Sequence, residues 1–172
     1  MHSFYLSAGW APAARAVVLL AALAAGRAWG QQETTPAAQA LVNWLQCEYC
    51  EHDELAAVTH YGQAVVPDLI VALNQGLSPE SRDDLGRTLE ERYAQLVEQS
   101  KKNPHAPIGV SKEKFVELYR GIWDVQHRVR ATQALAAIGG ERARAALEAA
   151  ASQAHRDEVR AAARDSLRKL IR

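Results

Sequence analysis

The sequence predicts an all-α domain: stacked helical hairpins, a fragment of an α-solenoid, with a long helix inserted among them. Three observations carry this. Apolar residues recur at helical steps from Ala37 onward, no stretch alternates as a strand would, and residues 127–139 reappear at an offset of 32 as residues 159–171. At 172 residues the chain fits one domain.

The first thirty residues stand apart. Arg15 precedes an unbroken apolar run, Ala16 to Ala25, and Ala28-Trp29-Gly30 places small residues where a signal peptidase reads. Residues 1–30 are expected to be a signal peptide cleaved before Gln31. An apolar run of ten falls short of the roughly 20 residues that span a bilayer as a helix. The product is therefore expected to be exported, periplasmic or secreted, with no stable membrane anchor after cleavage. Residues 31–36, Gln-Gln-Glu-Thr-Thr-Pro, have nothing to bury and read as a flexible leader.

Order is expected over residues 37–172. Leu41, Trp44 and Leu45 share one helical face, then Leu55, Val58 and Tyr61, then Val66, Leu69, Ile70 and Leu73. Ser78-Pro79 suits a helix start, serine as cap and proline at the first helical position. Leu85, Leu89, Tyr93 and Leu96 then form a stripe along the long helix. Residues 101–110, with two prolines and a glycine, form a connecting loop. Ser111 caps the next helix, whose Phe115, Leu118, Tyr119, Ile122 and Trp123 resemble an aromatic binding strip, although that spacing predicts a buried seam.

The repeat fixes the unit. Arg128 aligns with Arg160, Ala131 with Ala163, Leu135 with Leu167 and Ile138 with Leu170. Val58-x-x-Tyr61-Gly62 echoes Leu135-x-x-Ile138-Gly139, and a second helix start follows each glycine. The unit is helix, glycine turn, helix.

At these residues the sequence resembles the HEAT-repeat family in its short bacterial form, shared with phycobilin-lyase-type repeat proteins. Val159, Arg160, Ala163, Leu167 and Leu170 follow the family's first helix. Gly139-Gly140-Glu141-Arg142-Ala143 with Leu147, and Ala64-Val65-Val66-Pro67 with Leu69, follow its turn. The resemblance is clearest over 127–172, weaker over 53–75 and absent from Leu77 to Gly109. His127 stands where valine is usual, and Ala145 replaces the turn proline. Repeats of this kind bury their faces only against neighbours and leave a surface for a partner. The resemblance implies a non-catalytic scaffold that binds another protein.

Charge argues against nucleic acid as that partner. Without Arg15 and Arg27 the chain has 18 basic and 20 acidic residues, divided as 5 against 12 over residues 31–110 and 13 against 8 over 111–172. No nucleophile elbow, phosphate-binding loop or H-E-x-x-H occurs, nor the His-Glu pairs of iron-dependent HEAT hydroxylases. No catalytic, cofactor-binding or metal-binding set emerges. His127 and His155 flank repeat helices in surface or capping positions. The carboxylates Glu51, Asp53, Glu54, Asp83, Asp84, Glu90 and Glu91 read as solvated faces and helix starts.

Cys47 and Cys50 alone suggest chemistry. Glu51 separates Cys50 from His52, which excludes the ordinary haem motif. Zinc on Cys47, Cys50, His52 and His60 lacks a second pair of well-spaced ligands. A dithiol redox site lacks its strand-helix-strand frame. An exported compartment favours a structural disulfide. Its Cβ atoms need roughly 3.5–4.5 Å, closer than the roughly 5–6 Å between residues three apart on a helix, so the helix must end there. A thiol-disulfide or metal-binding accessory protein centred on this pair is the alternative function.

Overall fold

The computed structural model describes residues 35–47, 52–102 and 108–170. They form seven α-helices and one 3-10 turn, with no strand among the described residues. In order these are α1 Pro36–Gln46, α2 His52–Thr59, the turn Gly62–Val65, α3 Val66–Gln75, α4 Pro79–Lys102, α5 Lys112–Ile138, α6 Glu141–Gln153 and α7 Asp157–Leu170. The chain is all-α, as its periodicity predicts. Residues 1–30, expected to be a signal peptide, and residues 31–34 of the expected leader lie outside the described residues.

The ends of the helices follow local chemistry. α1 starts one residue ahead of the expected Ala37, because proline's fixed φ suits a first helical position. The Ser78 hydroxyl accepts the Ser81 N–H at 3.1 Å, and the Ser111 hydroxyl accepts the Lys114 N–H at 3.3 Å. Each satisfies a donor that the first helical turn leaves open. α3 and α5 stop at Gly76 and Gly139, both at φ 71, a left-handed conformation that glycine adopts without a Cβ clash.

Between Ser111 and Gly139 no proline intervenes, and the apolar face runs on from Trp123 into Ala131. The Ser111-capped helix and the first repeat copy are thus one helix of 27 residues, α5. It packs against α7, α3 and α1, while α6 packs against α7. The main core joins Trp44, Val58, Leu69, Leu135, Leu147 and Val159, drawn from all of the helices but α4. Ala131, Ala134, Ala143 and Ala163 are fully buried, and their small side chains let helix axes approach closely. A second cluster, Leu89, Phe115 and Val116 with Leu85 and Tyr93 beside it, holds α4 on the first half of α5.

Residues matched at the 32-residue offset perform matching tasks. Arg128 donates to the Leu73 and Asn74 carbonyls at the end of α3, at 2.8 and 2.6 Å, and Arg160 donates to the Ala154 carbonyl at the end of α6. These are helix-end carbonyls without intrahelical partners, and a cation suits the negative end of the dipole. Asp124 supports Arg128 at 2.9 Å and accepts the Leu77 N–H at 3.1 Å, fixing the turn into α4. The two glycine turns also meet: the Gln63 amide donates to the Gly139 carbonyl at 2.9 Å.

Candidate functional site

The end of α1 is tied to α5 by two buried, reciprocal bonds. The Trp44 indole N–H donates to the Arg130 carbonyl at 3.0 Å, and the Arg130 guanidinium donates to the Leu45 carbonyl at 3.1 Å. The guanidinium also lies 6.0 Å from the centre of the Trp123 ring, within cation–π range. Burial pushes the Arg130 pKa below its ordinary value. This cation sits in the protein interior because a helix C-terminus and an aromatic face replace its lost water.

His127, one turn back on α5, is buried and not at the surface as the sequence suggested. The stripe that carries Arg130 and Ala131 faces α1, which covers the imidazole. Burial lowers its pKa below 6.5, only partly offset by Asp124 and by a hydrogen bond with the Leu45 backbone; Arg128 and Arg130 lower it further. Its Nδ1 has no hydrogen-bond partner. A depressed folded-state pKa means that the unfolded chain binds the proton first. Stability is complete above pH 6.5 and falls as the pH drops through the folded-state value. Denaturation midpoints measured from pH 7.5 down to pH 5 should decline, and His127→Gln should flatten that decline.

α1 stops at Gln46, where a Cys47–Cys50 bridge would require a helix to end. Cys47 packs against the main core, its sulfur 3.2 Å from the Trp44 carbonyl oxygen. Cys50 and Glu51 lie outside the described residues, as do His105 and the side chain of His52. His60 is exposed against the Tyr61 ring, and His155 is exposed at the start of α7. Asp53 is exposed and Glu54 half-buried in the first turn of α2, while Asp83, Asp84, Glu90 and Glu91 are exposed on α4. Among the described residues no three His, Cys, Asp or Glu side chains gather as metal ligands. No single described helix is long and apolar enough to cross a membrane.

A groove follows one flank of the α4–α5 pair, starting at the end of α1. Its first section, about 390 Å³, is lined by Gln46, Leu77 and Trp123 together with Ser81, Asp84, Leu85, Thr88, Leu89 and Arg92 of α4. The next, about 330 Å³, is lined by Arg92, Gln95, Leu96 and Gln99 of α4 with Phe115 and Tyr119 of α5. Arg92 belongs to both sections. The α4 residues recur at steps of three and one from Ser81 to Gln99, a single helical face about 27 Å long at 1.5 Å per residue. Its floor is apolar and its edge polar.

The aromatic strip departs from the seam that its spacing predicts. Phe115 is buried and Trp123 half-buried, but Leu118 is 56% exposed and Tyr119 and Ile122 each 40%. The physical reason is that α4 alone covers this half of α5, and one neighbouring helix shields only one flank. Of the three exposed side chains only Tyr119 lines the groove; Leu118 and Ile122, four residues apart on α5, continue the exposed apolar face beside it. The polar positions of α4 that flank its apolar stripe, Ser81, Asp84, Thr88, Arg92, Gln95 and Gln99, carry the sequence signal for the groove. The burial of Trp44 followed from its helical face, but its bond with Arg130 had no local signal, since it spans the chain.

No family model, curated protein or solved structure matches this chain.

Proposed function

We propose that this chain is an exported, HEAT-like helical-repeat scaffold that catalyses nothing and binds another protein in the α4–α5 groove. The observation that carries the reading is the uncovered strip of Leu118, Tyr119 and Ile122 beside a groove with an apolar floor and a polar edge. Contiguous apolar surface with a polar rim is the ordinary composition of a protein-binding face. The HEAT resemblance is supported by the shared task of Arg128 and Arg160 and by the contact of the two glycine turns through Gln63. Replacing Tyr119 with Glu and Ile122 with Lys together tests the groove: partner capture should be lost while the melting temperature stays within about 2 °C of the parent.

In this reading Cys47 and Cys50 form a disulfide that turns the chain from α1 into α2. The packing of Cys47 against the core and the stop of α1 at Gln46 support it. So small a loop removes little entropy from the unfolded chain, so the bridge shapes a bend and contributes little to global stability. The native protein should weigh about 2 Da less than its reduced form, the loss of two hydrogens on forming one bridge. Two titratable thiols in protein purified without reductant would support the alternative accessory function instead.

A further inference from the structure

We propose that the groove's occupant is a second copy of this chain, with α4 lying antiparallel on the partner's α4 about a two-fold axis at Thr88. The proposal rests on the reading of the groove as a protein-docking face, and it names the partner.

Two observations lead to a second copy. The first is architectural. α4 and the first half of α5 form a two-helix layer with its own small core, Leu89, Phe115 and Val116, and one flank uncovered. Two helices cannot enclose their apolar stripes, whereas two such pairs close into a four-helix arrangement. The second is the order of charges along the groove face. Asp84 and Arg92 both line it, each four residues from Thr88. An antiparallel pairing centred on Thr88 sets Asp84 against the partner's Arg92, and two-fold symmetry repeats the contact. Ser81 and Gln95, each seven residues from Thr88, then meet as polar neighbours.

In the single chain Asp84 pairs with Arg87, but both side chains are more than half exposed, so exchanging that partner costs little. Without residues 1–30 the chain has 18 basic and 20 acidic residues, a formal charge of −2, which leaves little repulsion between copies.

Sedimentation velocity on the purified protein, from about 1 to 100 μM, tests this. A dimer is expected. Asp84→Arg alone and Arg92→Glu alone should each raise its dissociation constant about tenfold or more, because both symmetric contacts become repulsive. The double variant should restore the parent value. All these positions are exposed, and an unchanged far-ultraviolet circular dichroism spectrum verifies folding. Thr88→Cys should give a covalent dimer under mild oxidation. A parent protein that remains a monomer at about 100 μM overturns the proposal, as does a dimer indifferent to both charge reversals. A monomer that still captures another protein through Tyr119 and Ile122 removes the second copy but keeps the docking reading. A monomer that captures nothing removes both.

Discussion

Gly76→Ala is expected to destabilise the domain by about 3 kcal/mol, the sum of a left-handed backbone conformation forced on a side chain and the loss of partly buried hydrogen bonds. Gly76 sits at φ 71, and a Cβ there would lie 2.1 Å from Asp124 Oδ1 and 2.8 Å from Arg128 Nη2. Those atoms have little freedom to retreat. Asp124 accepts the Leu77 N–H and the Arg128 Nε–H, and Arg128 holds the last carbonyls of α3. Burial alone would raise the Asp124 pKa, but bonds from Arg128 and Leu77 outweigh it and hold the carboxyl below its ordinary value. Displacing this carboxylate therefore releases the end of α3 and the start of α4 together. Gly62→Ala supplies the control. That residue also has a positive φ, 53, but a Cβ would meet nothing within 4 Å, so only the backbone cost of about 1 kcal/mol is expected. Urea unfolding of the two variants should separate these costs.

Leu135→Ala is expected to cost about 2–5 kcal/mol, the range for emptying a fully buried leucine site. Leu135 has no exposed surface and lies in the main core on α5, the helix that contacts α1, α3 and α7. With neighbours on several sides, the cavity left by alanine has little room to collapse. Its match in the repeat, Leu167, is half-buried on α7 at the edge of the same core. Leu167→Ala should cost about half as much, since less of its surface leaves water on folding. Equal losses for the two substitutions would contradict the unequal burial of the two copies.

The contrast between those leucines shows where sequence information stops. Helical period and capping chemistry act within a few residues, so the faces of α1, α3 and α7, the starts at Ser78 and Ser111 and the stop at Gly139 are all legible in the chain. Period states which side chains share a face. It does not state whether another helix covers that face, and so the strip from Phe115 to Trp123 reads as a seam although Leu118, Tyr119 and Ile122 are exposed. The same limit applied to His127 and Arg130. Their polarity suggests solvent, but the open carbonyls at the end of α1, 85 residues away for Leu45 and Arg130, draw a donor inward. The groove's apolar residues were readable as helical stripes and its polar ones as positions beside them, a pattern that any solvated helix shares.

The most direct test of the groove as the binding face compares the parent with the variant carrying Tyr119→Glu and Ile122→Lys, each as bait against the exported fraction and against a second, differently tagged copy. Tyr119 and Ile122 are both 40% exposed, so neither change opens the core. The predicted result is a protein retained by the parent and lost from the variant, with closely similar melting curves. Equal retention by both baits would contradict it.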